Sequence, residues 1–94
     1  MRLTDYEVTA IKDTYSKVFD DGKIFLFGSR VDDSLKGGDI DLYIQTDNKN
    51  ILTKKIKFLS QIKQMIGDQK IDVVISKDKS RVIEQEAIIN GIQL

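Results

Sequence analysis

Gly28-Ser29-Arg30-Val31-Asp32-Asp33-Ser34-Leu35-Lys36-Gly37-Gly38-Asp39-Ile40-Asp41-Leu42-Tyr43-Ile44 is the stretch whose reading decides the fold of this 94-residue chain. From Asp39 onward apolar residues occupy every second position, the period of a β-strand. Asp39, Asp41 and Tyr43 therefore share one face, and Ile40, Leu42 and Ile44 line the other as core. Two aspartates one pleat apart repel each other, an expensive choice on a half-buried strand unless a cation sits between them. A hard divalent ion that prefers oxygen ligands meets that need. Just upstream, Lys23–Phe27 (KIFLF) is a short apolar run that predicts a buried strand, and Gly28-Ser29 ends it. A Gly-Ser pair lets the backbone turn tightly and approach a ligand closely, while its N–H groups and the Ser29 hydroxyl can face an anion.

Working outward, Thr4 and Glu7 stand at capping-box spacing, and Val8, Ile11, Tyr15, Val18 and Phe19 recur at three and four. An amphipathic helix is predicted there, ending at Asp20-Asp21-Gly22. Ser29–Leu35 has room for one helical turn before Lys36-Gly37-Gly38 bends the chain. That link cannot hold a crossover helix, so strands one and two are expected to pair antiparallel. After a turn at residues 46–50, Ile51, Leu52, Ile56, Phe58, Leu59, Ile62, Met65 and Ile66 predict a long helix with a wide apolar face, closed by Gly67. Its lysines at 54, 55, 57 and 63 read as the solvated face rather than a nucleic-acid patch.

Lys70–Ser76 is a third strand, reached by a helical crossover that favours parallel pairing with strand two. Asp72 interrupts its apolar run, where an unpaired buried charge would cost several kcal/mol. Asp39 and Asp41 at the start of strand two, Asp72 near the start of strand three and Gly28-Ser29 at the end of strand one should gather at one end of the sheet. A last helix is expected from Ser80 to Asn90, with Gly91 as its C-cap and residues 92–94 as an edge strand. The fold class is α/β (α+β), a single domain over residues 1–94. Its small mixed sheet follows the order α-β-short α-β-α-β-α, with a C-terminal edge strand.

Gly-Ser, a spacer of this length, Asp-apolar-Asp-apolar and a later strand aspartate together resemble the signature of the DNA polymerase β-like nucleotidyltransferase superfamily. The wording GSR…GDIDL in a short chain is most similar to its minimal nucleotidyltransferase branch, which includes MntA-type antitoxins paired with HEPN-domain toxins. Two features depart from that pattern. Asp32-Asp33 stands where many relatives carry small or basic residues, and Gly38 replaces the more usual serine before Asp39. The resemblance implies that Asp39, Asp41 and Asp72 are catalytic and bind two Mg²⁺ ions, for which Mn²⁺ can substitute. It implies that Asp72 orients or deprotonates the attacking hydroxyl, and that Gly28 and Ser29 hold phosphates of ATP or another nucleoside triphosphate. Arg30 and Lys36 are candidate phosphate partners. Tyr43 is expected to pack against a helix, and Asp32 and Asp33 to face solvent.

Fifteen basic residues balance fifteen acidic ones, so no strong field draws in a long nucleic acid. With no cysteine or histidine, disulfides, Cys/His zinc sites and imidazole catalysis are excluded. The N-terminus is too polar for a signal peptide, and no apolar run approaches the roughly 20 residues that cross a bilayer, so a cytoplasmic protein without membrane contact is expected. A chain this short leaves no room for an acceptor-binding lobe, which points to a partner chain, either a second copy or a helical HEPN-like subunit. The function expected is transfer of AMP to a hydroxyl of that partner, with an antitoxin role. The rival readings are a non-catalytic antitoxin that works by occupying its partner, and a small-molecule nucleotidyltransferase of the aminoglycoside type served by a partner acceptor subunit.

Overall fold

The capping box forms at the start of the first helix, where the Thr4 hydroxyl accepts from Glu7 N–H at 3.1 Å and the Glu7 carboxylate accepts from Thr4 N–H at 2.8 Å. In the computed structural model, which describes residues 1–94, this helix, α1, covers Asp5–Val18. It is followed by β1 (Lys23–Phe27), a 3₁₀ turn (Gly28–Val31), β2 (Ile40–Gln45), α2 (Ile51–Ile66), β3 (Ile71–Ile75), α3 (Val82–Asn90) and β4 (Ile92–Gln93). The strands form one sheet in the order β3-β2-β1-β4. β1 pairs antiparallel with β2 and with β4, and β2 pairs parallel with β3, as the short and long connections require. No helix is long and apolar enough to cross a membrane.

The period-two pattern divides the sheet into two faces. Ile40, Leu42, Ile44, Ile24, Leu26, Ile71, Val73 and Ile75 pack under α1 and α2 against Ile11, Tyr15, Val18, Phe19, Phe58 and Ile62. On the other face Phe27 and Tyr43 pack against Ala87 of α3, flanked by Phe25, Val74 and Ile88. α3 covers only part of that second face. Phe27, beside Asp41, lies under this helix, whereas Asp72 on β3 is exposed.

Two expectations change. The apolar face of α2 is narrower than its sequence predicts: Phe58 and Ile62 are buried, while Leu52, Ile56 and Met65 are exposed, because α1 and the sheet contact only one stripe of the helix. The last helix begins at Val82 rather than Ser80, since Ser80 N–H and hydroxyl both bond the Asp78 carboxylate in a turn ahead of it.

Candidate active site

Strand register brings the carboxylates together. Asp41 lies opposite Asp72 in the parallel β2–β3 pair and opposite Phe27, the residue before Gly28, in the antiparallel β1–β2 pair. Ile40 N–H donates to the Lys70 carbonyl at 3.0 Å, which locks the two strand starts side by side. Asp39, Asp41, Asp72 and the Gly28-Ser29 turn thus collect at one end of the sheet. Asp72 is exposed, not buried as its apolar neighbours suggest, because β3 is an edge strand.

The turn closes directly onto Asp41. Gly28 has φ +75°, and a Cβ there would fall 2.5 Å from Asp41 Oδ2, so backbone conformation and space both demand glycine. A Cβ at Gly38 would overlap Ser29 Oγ, so glycine in place of a bulkier residue leaves that hydroxyl its position beside the turn.

Like charge dominates the electrostatics. Burial pushes the Asp41 pKa up, and Asp72 and then Asp39 push it further, against a smaller opposing pull from Lys70. Lys70 Nζ lies 3.3 Å from Asp39 Oδ2, and that contact, with the fields of Asp39, Asp72 and Asp41, raises the lysine pKa. Three crowded carboxylates answered by one ammonium are chemically the donor set that a hard divalent cation takes. As they stand, however, no three acidic side chains are arranged to hold an ion. The donor chemistry fits a metal; the side chains are not yet gathered around one.

The sequence matches the family described as Polymerase beta, Nucleotidyltransferase over residues 9–94. The chain belongs to this family. No curated protein matches it. Membership makes the chain a transferase of the nucleotidyltransferase class with the polymerase β-like fold, a class that usually works with divalent metal ions.

The basic residues of this nucleotidyltransferase divide by role. Arg30 spends its guanidinium inside the protein, donating to the carbonyls of Gly38 (3.2 Å) and Arg2 (2.9 Å) and to Gln69 Oε1 (3.3 Å). Arg2 reciprocates, donating from its side chain to the carbonyls of Ser29 (2.9 Å) and Asp32 (3.0 Å) and from its N–H to the Arg30 carbonyl (2.7 Å). The two arginines clasp both limbs of the loop between β1 and β2. Lys36 is exposed on that loop and makes no hydrogen bond or ion pair.

Tyr43 packs against a helix, as expected, and its hydroxyl donates to Glu84 Oε1 at 2.6 Å. Asp32 and Asp33 are exposed, but both are engaged. Asp32 accepts from Ser34 N–H and hydroxyl, and Asp33 pairs with the Met1 amine at 2.5 Å.

Sequence reading assigns no role to Lys70, Arg2 or Glu84. Lys70 was findable, two residues ahead of Asp72 at strand spacing. Arg2 and Glu84 had no local signal, since Ser29 is 27 residues from Arg2 and Tyr43 is 41 residues from Glu84.

Proposed function

We propose that this chain transfers AMP from ATP, with Mg²⁺, to a hydroxyl of a partner protein, and that it serves as the antitoxin of a HEPN-type toxin. The single observation that carries the transfer chemistry is the register of Asp41 against Asp72, with Asp39 beside them and the Gly28-Ser29 turn closed over Asp41. Asp39, Asp41 and Asp72 would hold two metal ions. When bound, these would neutralise charge on the triphosphate as it passes to the leaving pyrophosphate. The backbone N–H groups of Gly28 and Ser29 and the Ser29 hydroxyl bind the β- and γ-phosphates. Asp72, the most open of the three carboxylates, accepts the proton of the incoming hydroxyl. The hydroxyl oxygen then bonds to the α-phosphorus of ATP as the bond from that phosphorus to the leaving pyrophosphate breaks.

Support for a protein acceptor is the openness of the site. The concavities of the chain lie elsewhere. One of about 340 Å³ is lined by Asp21, Gln45, Thr46 and Ser76 at the far end of the strands, and one of about 490 Å³ by Ile51, Leu52, Val74 and Ile75. None includes Gly28, Ser29, Asp39, Asp41 or Asp72. An open sheet end suits a protruding loop from another protein, which would complete the enclosure that phosphoryl chemistry needs. The toxin partner itself comes from resemblance to the minimal nucleotidyltransferases.

The test is incubation of this chain with the product of its neighbouring reading frame, labelled ATP and Mg²⁺. Adenylate mass on the partner, absent with Asp41→Asn and Asp72→Asn, is the expected result. A tight complex with unmodified partner would favour inhibition by occupancy. Label found only on an added aminoglycoside or RNA would refute the protein acceptor.

A further inference from the structure

We propose that Lys70 is a resident counter-cation of the carboxylate cluster, holding Asp39 aside until an incoming divalent ion displaces it. This inference rests on reading Asp39, Asp41 and Asp72 as the metal-binding carboxylates. Lys70 Nζ sits 3.3 Å from Asp39 Oδ2, and no other cation in the chain forms an ion pair with any of the three. Arg30 directs Nε, Nη1 and Nη2 to the Gly38 and Arg2 carbonyls and to Gln69, and Arg2 directs Nε and Nη2 to the Asp32 and Ser29 carbonyls.

The Lys70 backbone is fixed by the bond from Ile40 N–H to its carbonyl, between the two β2 aspartates, so its ammonium cannot stray far from them. Asp39 is correspondingly turned to the ammonium, and the three carboxylates do not form a common ligand group. The pair is also labile. The Lys70 side chain is 71% exposed and that of Asp39 42%, so water and salt weaken it, and a doubly charged ion can take the carboxylate from it. A lysine suits this task better than an arginine would: its compact charge on a flexible stem can leave one oxygen and remain nearby, where a triphosphate would present the next anion.

Mn²⁺ binding without nucleotide, followed by electron paramagnetic resonance, tests the assignment. Wild type would be compared with Lys70→Met, Lys70→Arg and Lys77→Met, the last at the opposite end of β3. Lys70→Met is expected to bind Mn²⁺ roughly three- to fivefold more tightly at low salt, the scale of an exposed ion pair. In EDTA the same variant should melt below wild type, having lost the only counter-charge of the cluster. Lys70→Arg should stay near wild type and Lys77→Met should not move. Equal or weaker Mn²⁺ affinity in Lys70→Met, or the same tightening in Lys77→Met, overturns the proposal alone. If no form binds Mn²⁺ saturably, the metal-site reading falls and this inference with it. Lys70→Gln reads the same quantity should the methionine variant fold poorly.

Discussion

Asp41 and Asp72 stand opposite one another in the β2–β3 register, yet only Asp41 is partly enclosed, with Gly28 against its carboxylate, while Asp72 is open to solvent. The two carboxylates therefore respond differently to pH and to substitution.

The raised Asp41 pKa means that the folded chain holds that proton more tightly than the unfolded chain does. Its stabilising contribution is full below the unfolded carboxylate value, about 4, and is lost as pH rises through the raised folded value. Without metal, Asp41→Asn should melt a few degrees above wild type at neutral pH, and the gap should close toward pH 3. Adding Mg²⁺ should reverse the order, since only wild type gains from binding. Asp72→Asn should raise the metal-free melting temperature at neutral pH by a smaller amount, since it relieves the repulsion on Asp41 but not the burial of that charge. Melts in EDTA across pH check all three, and a neutral-pH advantage for wild type without metal would mean that no charge strain is stored at Asp41.

Gly28→Ala imposes a left-handed φ on alanine and drives its Cβ into the Asp41 carboxylate. Gly37→Ala imposes a similar φ of +64° but meets only open space. The second should cost about 1 kcal/mol from backbone conformation. The first should cost more and should lose nucleotide binding as well. Denaturant unfolding of both variants measures the difference, and equal costs would show that Asp41 yields freely.

Glu84 is fully buried, and burial alone would raise its pKa. Donation from the Tyr43 hydroxyl, the N–H groups of Asp78 and Lys77, and the Arg81 guanidinium at 2.7 Å outweighs that and holds it at about 2. The stability it confers is present above the unfolded carboxylate value and is lost as pH falls through about 2. Glu84→Gln should destabilise by about 3 kcal/mol at pH 7, by leaving Arg81 and a cluster of donors without their charge. Tyr43→Phe should cost about 1–2 kcal/mol. Because α3 is anchored behind β2 by this group, the melting temperature should fall in both variants while Mg²⁺ binding persists. Loss of metal binding with an unchanged melting temperature would instead put Tyr43 in the site.

Arg30→Ala removes three internal hydrogen bonds from the loop that carries Ser29 and Gly38. A stability loss of about 1–3 kcal/mol is expected, and Arg30→Lys should not restore it, since one ammonium cannot span three divergent acceptors. A phosphate-binding Arg30 would behave oppositely, with unchanged stability and nucleotide affinity rescued in part by lysine. Urea unfolding and nucleotide titration on the same samples separate the outcomes.

By itself the sequence determined what depends on near neighbours. Period-two alternation in Asp39–Ile44 marked the strand and its aspartate face, Thr4 and Glu7 marked the helix start, and connection lengths set which strands run parallel. Such features are encoded by residues a few positions apart, so they can be read without knowing the rest of the chain. Even the gathering of Asp39, Asp41, Asp72 and Gly28-Ser29 at one sheet end followed from strand direction alone. Tertiary structure alone decided the register that sets Asp41 against Asp72, the exposure of Asp72 on an edge strand, and the engagement of Arg30 with Arg2 and Gln69. It also decided the pairing of Lys70 with Asp39, the Tyr43–Glu84 bond, and the exposure of Leu52 and Ile56 on a helix whose pattern promised a wider buried face. Each of these depends on which surfaces meet across 27 residues or more, and on where a helix stops covering the sheet. Side-chain charge and hydrophobicity are the same in either case; packing decides which of them faces water, another side chain, or a ligand.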